Sequence, residues 1–296
     1  VRDGESIEGL QTSRPSLEVN LNSKKMPDME GQGWFQSLAV DRVVREARDC
    51  SSIVFSIPFE LRDLFRPSPG QFLAIRAVIE NQEHVRCYSV SCLSRSGESL
   101  RITVKRIDDG VVSRWLNDTL KPGDRLMVAP AAGRFLLRPN GNDAIFFAAG
   151  SGITPILPMI RSAVETDGRR AALFYWNRGE DDAIFLHELR DLARRLSDRF
   201  EFFERYGSRS DSNQMPSICD FAARRRGADA YLCGPNGFME ICRNALLAEG
   251  FSEDAIFEER FARGATMSPE ESGPASDAMS MTVTIIRDGE RRQIQA

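Results

Sequence analysis

Four short stretches carry side chains suited to holding a flat, anionic ligand. In RCYSVS, residues 86–91, strand alternation puts Arg86, Tyr88 and Val90 on one face and Cys87, Ser89 and Ser91 on the other. A guanidinium, a phenol and a hydroxyl so spaced fit a phosphate, a ring plane and a ring heteroatom; a barrel strand with one wet face would carry them too. In KRIDDGVVSRWL, residues 105–116, Gly110 permits a sharp turn and Ser113 stands where it can cap a short helix, whose free N–H groups suit a diphosphate. A capped helix inside a β domain has the same signature. In AAGSGITP, residues 148–155, Gly150 and Gly152 let backbone approach a ligand closely where a strand meets a helix. Pro155, suited to a first helical turn, replaces the third glycine of the dinucleotide fingerprint, and a plain tight turn is the competing explanation. In YLCGPNGFM, residues 231–239, a buried strand ends at Cys233, Gly234 and Pro235 before a helix. Cys233 is either core or a lining group of the same crevice.

Composition excludes several other chemistries. The net charge of −4 gives no reason to expect nucleic acid as a partner. The two histidines, His84 and His187, lie far apart, which argues against a His-rich metal site and against a hydrolase triad; no G-x-S-x-G elbow occurs. The six cysteines (Cys50, Cys87, Cys92, Cys219, Cys233 and Cys242) form no C-x-x-C and no zinc-like pair, and several sit in apolar segments, as reduced cytoplasmic thiols do. No apolar run approaches the roughly 20 residues of a membrane span. A cytoplasmic protein without a membrane partner or metal ligand set is expected, and a monomer.

These stretches need elements to position them. The length of 296 residues suggests two domains. Residues 1–33 are polar, lack an apolar signal core and read as a poorly ordered leader. Over residues 34–139, six short alternating runs separated by Gly, Pro, Asp and Ser suggest a small antiparallel barrel or sandwich, interrupted by one short helix, SRWLNDTL. Over residues 140–263, strands alternate with helices, the pattern of a doubly wound parallel sheet. There DDAIFLHELRDLARRLS reads as one helix with an acidic first turn and Ile184, Leu189, Leu192 and Leu196 on one face. Residues 264–280 have linker composition, and residues 281–296 resume as strand, turn, strand.

In this order, Arg-x-Tyr-Ser, Gly-x-x-Ser before a short helix, G-S-G-I-T-P and C-G-P resemble the ferredoxin–NADP reductase superfamily across about residues 34–261. The chain looks closest to the reductase components of Rieske-type oxygenases and related multicomponent hydroxylases. There, a flavin-binding barrel and a nicotinamide domain are joined to a plant-type 2Fe–2S ferredoxin. The resemblance implies that Tyr88 packs on the isoalloxazine, Arg86 holds the flavin phosphate and Ser89 reaches the N5 edge, with Cys87 and Lys105 beside the flavin. It implies that Gly110, Val111, Val112 and Ser113 take the diphosphate. Gly150, Ser151, Gly152, Thr154 and Pro155 would cradle the nicotinamide dinucleotide, and Cys233, Gly234 and Pro235 would set its ring against the flavin. Glu259 and Phe261, in FEERF, fall where the last strand returns to the flavin. Ser89 and Cys233 are the catalytic candidates, and the reaction, hydride transfer followed by release of single electrons to a terminal oxygenase, needs no general base.

FAD is expected over FMN, because PAAGRF and DDGVVSRW look like the FAD-binding members. NADH is expected over NADPH: Arg178 can meet a 2′-phosphate, yet Glu180, Asp181 and Asp182 repel one, while Ser208 and Arg209 favour it. The hairpin in MTVTIIRDGERRQIQA matches the opening of the family's ferredoxin module. None of the six cysteines fits the C-x₄-C-x₂-C run of a 2Fe–2S site, so the cluster is expected only in a longer chain. A flavohaemoglobin-like reductase fragment and a non-catalytic flavin- or nucleotide-binding regulatory module are the rival readings.

Overall fold

The computed structural model describes residues 35–207 and 215–261, and by their backbone alone three outlying strands, 16–20, 282–287 and 290–295. Ser16–Asn20 is strand β1. Then come Gln36–Ala47 (β2), Cys50–Ser56 (β3), Phe72–Ile79 (β4), Gln82–Leu93 (β5) and Ser99–Lys105 (β6), followed by helix Val111–Asp118 (α1) and strand Arg125–Val128 (β7). Strands β2 to β7 close an antiparallel barrel in the order β2-β3-β6-β5-β4-β7. Closure follows from the alternation: Leu38, Val40, Ile53, Phe55, Leu73, Ile75, Val90, Ile102, Val104 and Val128 all point inward and are buried. Val112 and Leu116 of α1 join the same core. Glu80 and Asn81, both at positive φ, make the two-residue turn that pairs β4 with β5.

The second domain has strands Ala144–Ala149 (β8), Ala171–Asn177 (β9), Phe200–Tyr206 (β10), Asp229–Cys233 (β11) and Ile256–Glu259 (β12). All pair parallel, in the order β10-β9-β8-β11-β12. Helices Ile153–Arg161 (α2), Leu186–Arg195 (α3), Met215–Ala223 (α4) and Asn236–Ala248 (α5) connect them. Alternation splits the sheet cleanly. Phe146, Ala148, Leu173, Tyr175, Tyr231 and Cys233 face α2 and α3, and Ile145, Phe147, Phe174, Trp176 and Leu232 face α4 and α5. Each large apolar side chain so buried stabilises the fold by about 1.5–3 kcal/mol. The strand order reverses at β8, so the carboxyl ends of β8 and β11 flank the topological switch point.

Two expectations need correction. Helix α3 begins at Leu186, because Phe185 sits at φ 60°, ψ 22° and breaks the helix; Glu180–Asp182 form a separate single turn. Within the residues read as a leader, Ser16–Asn20 forms a strand that pairs parallel with Thr282–Arg287 (β13), which pairs antiparallel with Glu290–Gln295 (β14). A two-stranded hairpin leaves one edge of β13 open, and SLEVN is an alternating run able to fill it. Among the described residues, no helix is long and apolar enough to cross a membrane.

The two main domains share a dense seam. Cys50, on β3, is 2% exposed and belongs to the same packed cluster as Ile153, Ile156 and Leu157 of α2. On the barrel's outer face the Ser52, Thr103 and Ser91 hydroxyls chain together at 2.8 Å each. The Arg48 backbone N–H donates to the Asp181 carbonyl at 3.0 Å.

Candidate active site

Strand β5 carries Arg86, Cys87 and Tyr88 half-buried and Ser89 buried, at the level of Phe72 on β4. The Arg86 guanidinium donates to the neighbouring Val85 carbonyl at 2.8 Å, and no carboxylate of the described residues pairs with it. A cation so held is available to a phosphate. Burial pushes the Tyr88 phenol well above its ordinary range and the Cys87 thiol up to about 12, so both stay neutral.

Below this strand the chain turns into α1 through Gly110, which is the N-cap; no side chain caps the helix. Ser113 is not the cap that its position suggested. Its hydroxyl donates to the Gly110 carbonyl (3.2 Å) and accepts the Ile107 N–H (3.2 Å), folding the IDDG turn beneath the helix start. A Cβ at Gly110 would lie 2.3 Å from that hydroxyl, so only glycine fits. Ser113 therefore shapes the loop and leaves the amides of Val111 and Val112 to an anion. Lys105, at the end of β6, brings its ammonium 3.6 Å from where a Cβ on Gly150 would stand, joining the barrel to the second domain's first loop.

That loop, Gly150–Gly152, is one tight turn leading into α2, with Gly150 at φ 55°. Thr154 is buried and donates to the Ser151 carbonyl at 2.9 Å, and Pro155 follows in the first turn of α2. A Cβ on Gly152 would meet the Cys233 carbonyl oxygen at 2.0 Å; one on Gly234 would meet Ala149 at 3.1 Å. The two crevice loops thus touch backbone to backbone, a contact that only glycine allows. Cys233 is fully buried, and burial raises its thiol far above the ordinary value. Pro235 caps α5 from an extended conformation.

Glu259 stands opposite Cys233 in the β11–β12 register, and its charge is felt by both Cys233 and the barrel's Cys87. Burial pushes its carboxyl up to about 7. Glu259 is therefore where strand ends of the two domains converge. Phe261 is 45% exposed just beyond it. Arg178 is engaged elsewhere: its guanidinium donates to both Asp182 oxygens, at 3.0 and 3.1 Å. Ser208 and Arg209 lie outside the described residues.

Sequence reasoning missed Tyr175. Its hydroxyl, wholly buried, donates to the Gly150 carbonyl (3.1 Å) and accepts the Ile184 N–H (3.0 Å), so it fixes the loop that approaches the ligand. The available signal was a tyrosine at the end of an otherwise apolar strand, since a buried phenol requires a partner.

A barrel with a phosphate-ready strand and helix end, set against a parallel sheet whose glycine loops meet at the switch point, defines a two-domain flavin and nicotinamide oxidoreductase. Family models agree: an oxidoreductase FAD-binding domain matches residues 37–136, and an oxidoreductase NAD-binding domain matches residues 146–244. The chain belongs to the ferredoxin reductase family of FAD- and NAD-binding oxidoreductases. It is 36% identical over 259 residues to the ferredoxin reductase component of 3-ketosteroid-9-alpha-monooxygenase from Rhodococcus rhodochrous, spanning 86% of this chain and 74% of that protein. Among solved structures it is similar to the flavohem-like FAD/NAD-binding domain of nitric oxide dioxygenase from Vibrio cholerae O1 biovar El Tor. There the TM-score is 0.66 at 25% identity, over 76% of this chain and 98% of the other. Phthalate dioxygenase reductase shares the fold with a TM-score of 0.64 at 24% identity, over 88% of this chain and 76% of its own.

Proposed function

We propose that the protein is the reductase of an oxygenase system, taking electrons from NADH through FAD and delivering them by way of a 2Fe–2S ferredoxin to a terminal oxygenase. The observation that carries this is the meeting of two anion cradles across one seam. Arg86, Tyr88 and the uncapped start of α1 lie on one side, and Gly150, Gly152 and Cys233 on the other. Bound there, a flavin would accept hydride from the reduced nicotinamide and pass electrons on singly.

The chain's own residues then bind, orient and exclude water. Arg86 takes a flavin phosphate, Tyr88 flanks the ring, and Ser89, buried beside Phe72, offers its hydroxyl to the N5 edge. Gly110, Val111, Val112 and Ser113 supply the helix start for the diphosphate, with Lys105 between the loops and Cys87 behind the ring. Gly150, Ser151, Gly152, Thr154 and Pro155 form the nicotinamide dinucleotide's cradle, and Cys233, Gly234 and Pro235 its inner wall. Glu259 and Phe261 close the crevice from β12. The locked Arg178–Asp182 pair supports NADH, because Arg178 is already neutralised and Glu180 and Asp181 stand next to it.

A flavohaemoglobin-type assignment shares both domains and accounts for neither β13 nor β14. The oxygenase assignment accounts for them as the opening hairpin of the ferredoxin, and the wider coverage against phthalate dioxygenase reductase favours it. Free thiols, half of them buried, suit the cytoplasm, and we read the protein as a monomer. The purified protein should be yellow and should bleach anaerobically with NADH, and heat should release FAD by mass. A colourless protein that refuses added flavin, and does not reduce ferricyanide, would be the regulatory module instead.

A further inference from the structure

We infer that Arg101 and Glu188 form a positioning pair that holds the nicotinamide domain at the orientation hydride transfer requires; the inference rests on the oxidoreductase reading above. Arg101 lies on β6 of the barrel and Glu188 on α3 of the second domain. The guanidinium donates to Glu188 Oε2 through both terminal nitrogens, at 3.3 and 3.4 Å. Arg161, on α2, holds the other Glu188 oxygen at 3.0 Å. The Arg101 and Glu188 side chains are only 17% and 23% exposed, so water weakens the pair little. Glu46 of β2 adds a second carboxylate at 3.8 Å.

The position of this pair matters more than its strength. On the barrel side, Arg101 Nε donates to the Ser91 hydroxyl (3.1 Å) and Nη2 to the Ser91 carbonyl (3.2 Å). Ser91 lies two residues beyond Ser89 on the same strand. On the other side, the guanidinium lies over the Phe185 ring, 4.5 Å from its centre. Phe185 holds the left-handed conformation at φ 60°, which a bulky residue adopts only where its surroundings impose it. The residue before it, Ile184, donates to the Tyr175 hydroxyl that grips the Gly150 carbonyl. One guanidinium thus ties the strand that carries Ser89 to the turn that shapes the dinucleotide loop. Its planar fork fixes direction as well as distance, which an ammonium cannot do.

The test uses flavin-loaded wild type with Arg101→Gln, Glu188→Gln, the double variant and Arg101→Lys, mixed anaerobically with NADH in a stopped-flow instrument. Flavin content, melting temperature, the limiting rate of bleaching, the nucleotide dissociation constant and the long-wavelength charge-transfer absorbance are all read. Each single Gln variant should bleach about 10- to 100-fold more slowly at saturating NADH, with weakened charge-transfer absorbance, while nucleotide affinity changes less than about threefold. The double variant should be no slower than the slower single, because both remove one contact, and Arg101→Lys should fall between. Variants that melt earlier yet bleach at the wild-type limiting rate would overturn the inference, as would slowing that only tracks lost flavin. A wild type that NADH does not bleach would overturn the oxidoreductase reading and this inference together.

Discussion

At the scale of the residue, the site is built by burial more than by charge. Glu259 shows the consequence. Its carboxyl is raised from an unfolded value of 4.5 to about 7 in the folded protein, with burial as the cause. The folded state therefore holds a proton that the unfolded chain has released, and stability falls as pH rises between those two values. The loss saturates above them at no more than ~3 kcal/mol, less where the carboxylate keeps some water. Glu259→Gln should accordingly melt higher than wild type at pH 8.5 and match it near pH 4.5; a melting-temperature series against pH checks this, and equal curves at all pH values would refute it. Gly152 is the opposite case, a residue defined by what it lacks. In Gly152→Ala the added methyl meets backbone at 2.0 Å, so the two crevice loops must separate. We expect a loss of about 1–3 kcal/mol of stability. NADH should also bind at least tenfold more weakly while flavin content is retained, as measured by titration and visible absorbance. These glycines were legible in the sequence as a loop between strand and helix, and the order of the neighbouring motifs, more than the loop itself, separated a cradle from a plain tight turn. The raised Glu259 was legible only as a place, since its burial is set by the fold and not by its neighbours in sequence.

At the scale of the element, the strands of both domains could be read directly, because period-two alternation in the barrel and continuous apolar runs in the parallel sheet are strong local signals. The start of α3 could not. Leu189, Leu192 and Leu196 have helical spacing with Ile184 near the same face, and the break at Phe185 is imposed by packing beneath Arg101, which no local propensity encodes. The α1 start was half legible: glycine and serine were identified, with the cap given to the wrong one. This difference has a measurable outcome. Ser113→Ala removes the hydroxyl that ties Ile107 to Gly110, so the loop loosens while the helix keeps its Gly110 cap. Flavin affinity should drop roughly fivefold, the worth of about 1 kcal/mol from one lost hydrogen bond, with no change in the KM for NADH. Fluorescence titration of the flavin and steady-state kinetics separate the two; a variant that instead unfolds α1 would show Ser113 acting as a cap after all.

At the scale of the whole molecule, the charges after β9 and those at the domain seam are paired by the fold. Arg178 lies open to solvent in composition, yet Asp182 holds it with two bonds, and Arg190 is shared between Glu180 (2.6 Å) and Glu204 (2.7 and 2.6 Å). Around the turn after β9, Arg178, Arg190 and Arg48 are thus each already held by a carboxylate that would compete with a 2′-phosphate. We expect kcat/KM for NADH to exceed that for NADPH by at least tenfold, roughly the worth of one unfavourable charge contact. Asp182→Asn should narrow that gap by releasing Arg178; an NADPH preference in wild type would overturn the assignment. The Arg101–Glu188 pair was invisible in the sequence for the same reason: each partner looks like an ordinary surface charge until the two domains close.

The pairing of β1 with β13 has a consequence in time. These strands lie far apart in sequence, so their contact closes a larger loop than any other in the described fold, and a contact of that reach must wait for what it encloses. During synthesis the barrel and the parallel sheet can be complete before β13 leaves the ribosome, while the N-terminal strand waits unpaired. The small sheet then assembles after both main domains, and a substitution that breaks the alternation of β1 would disturb the β13–β14 hairpin before it touched either cradle.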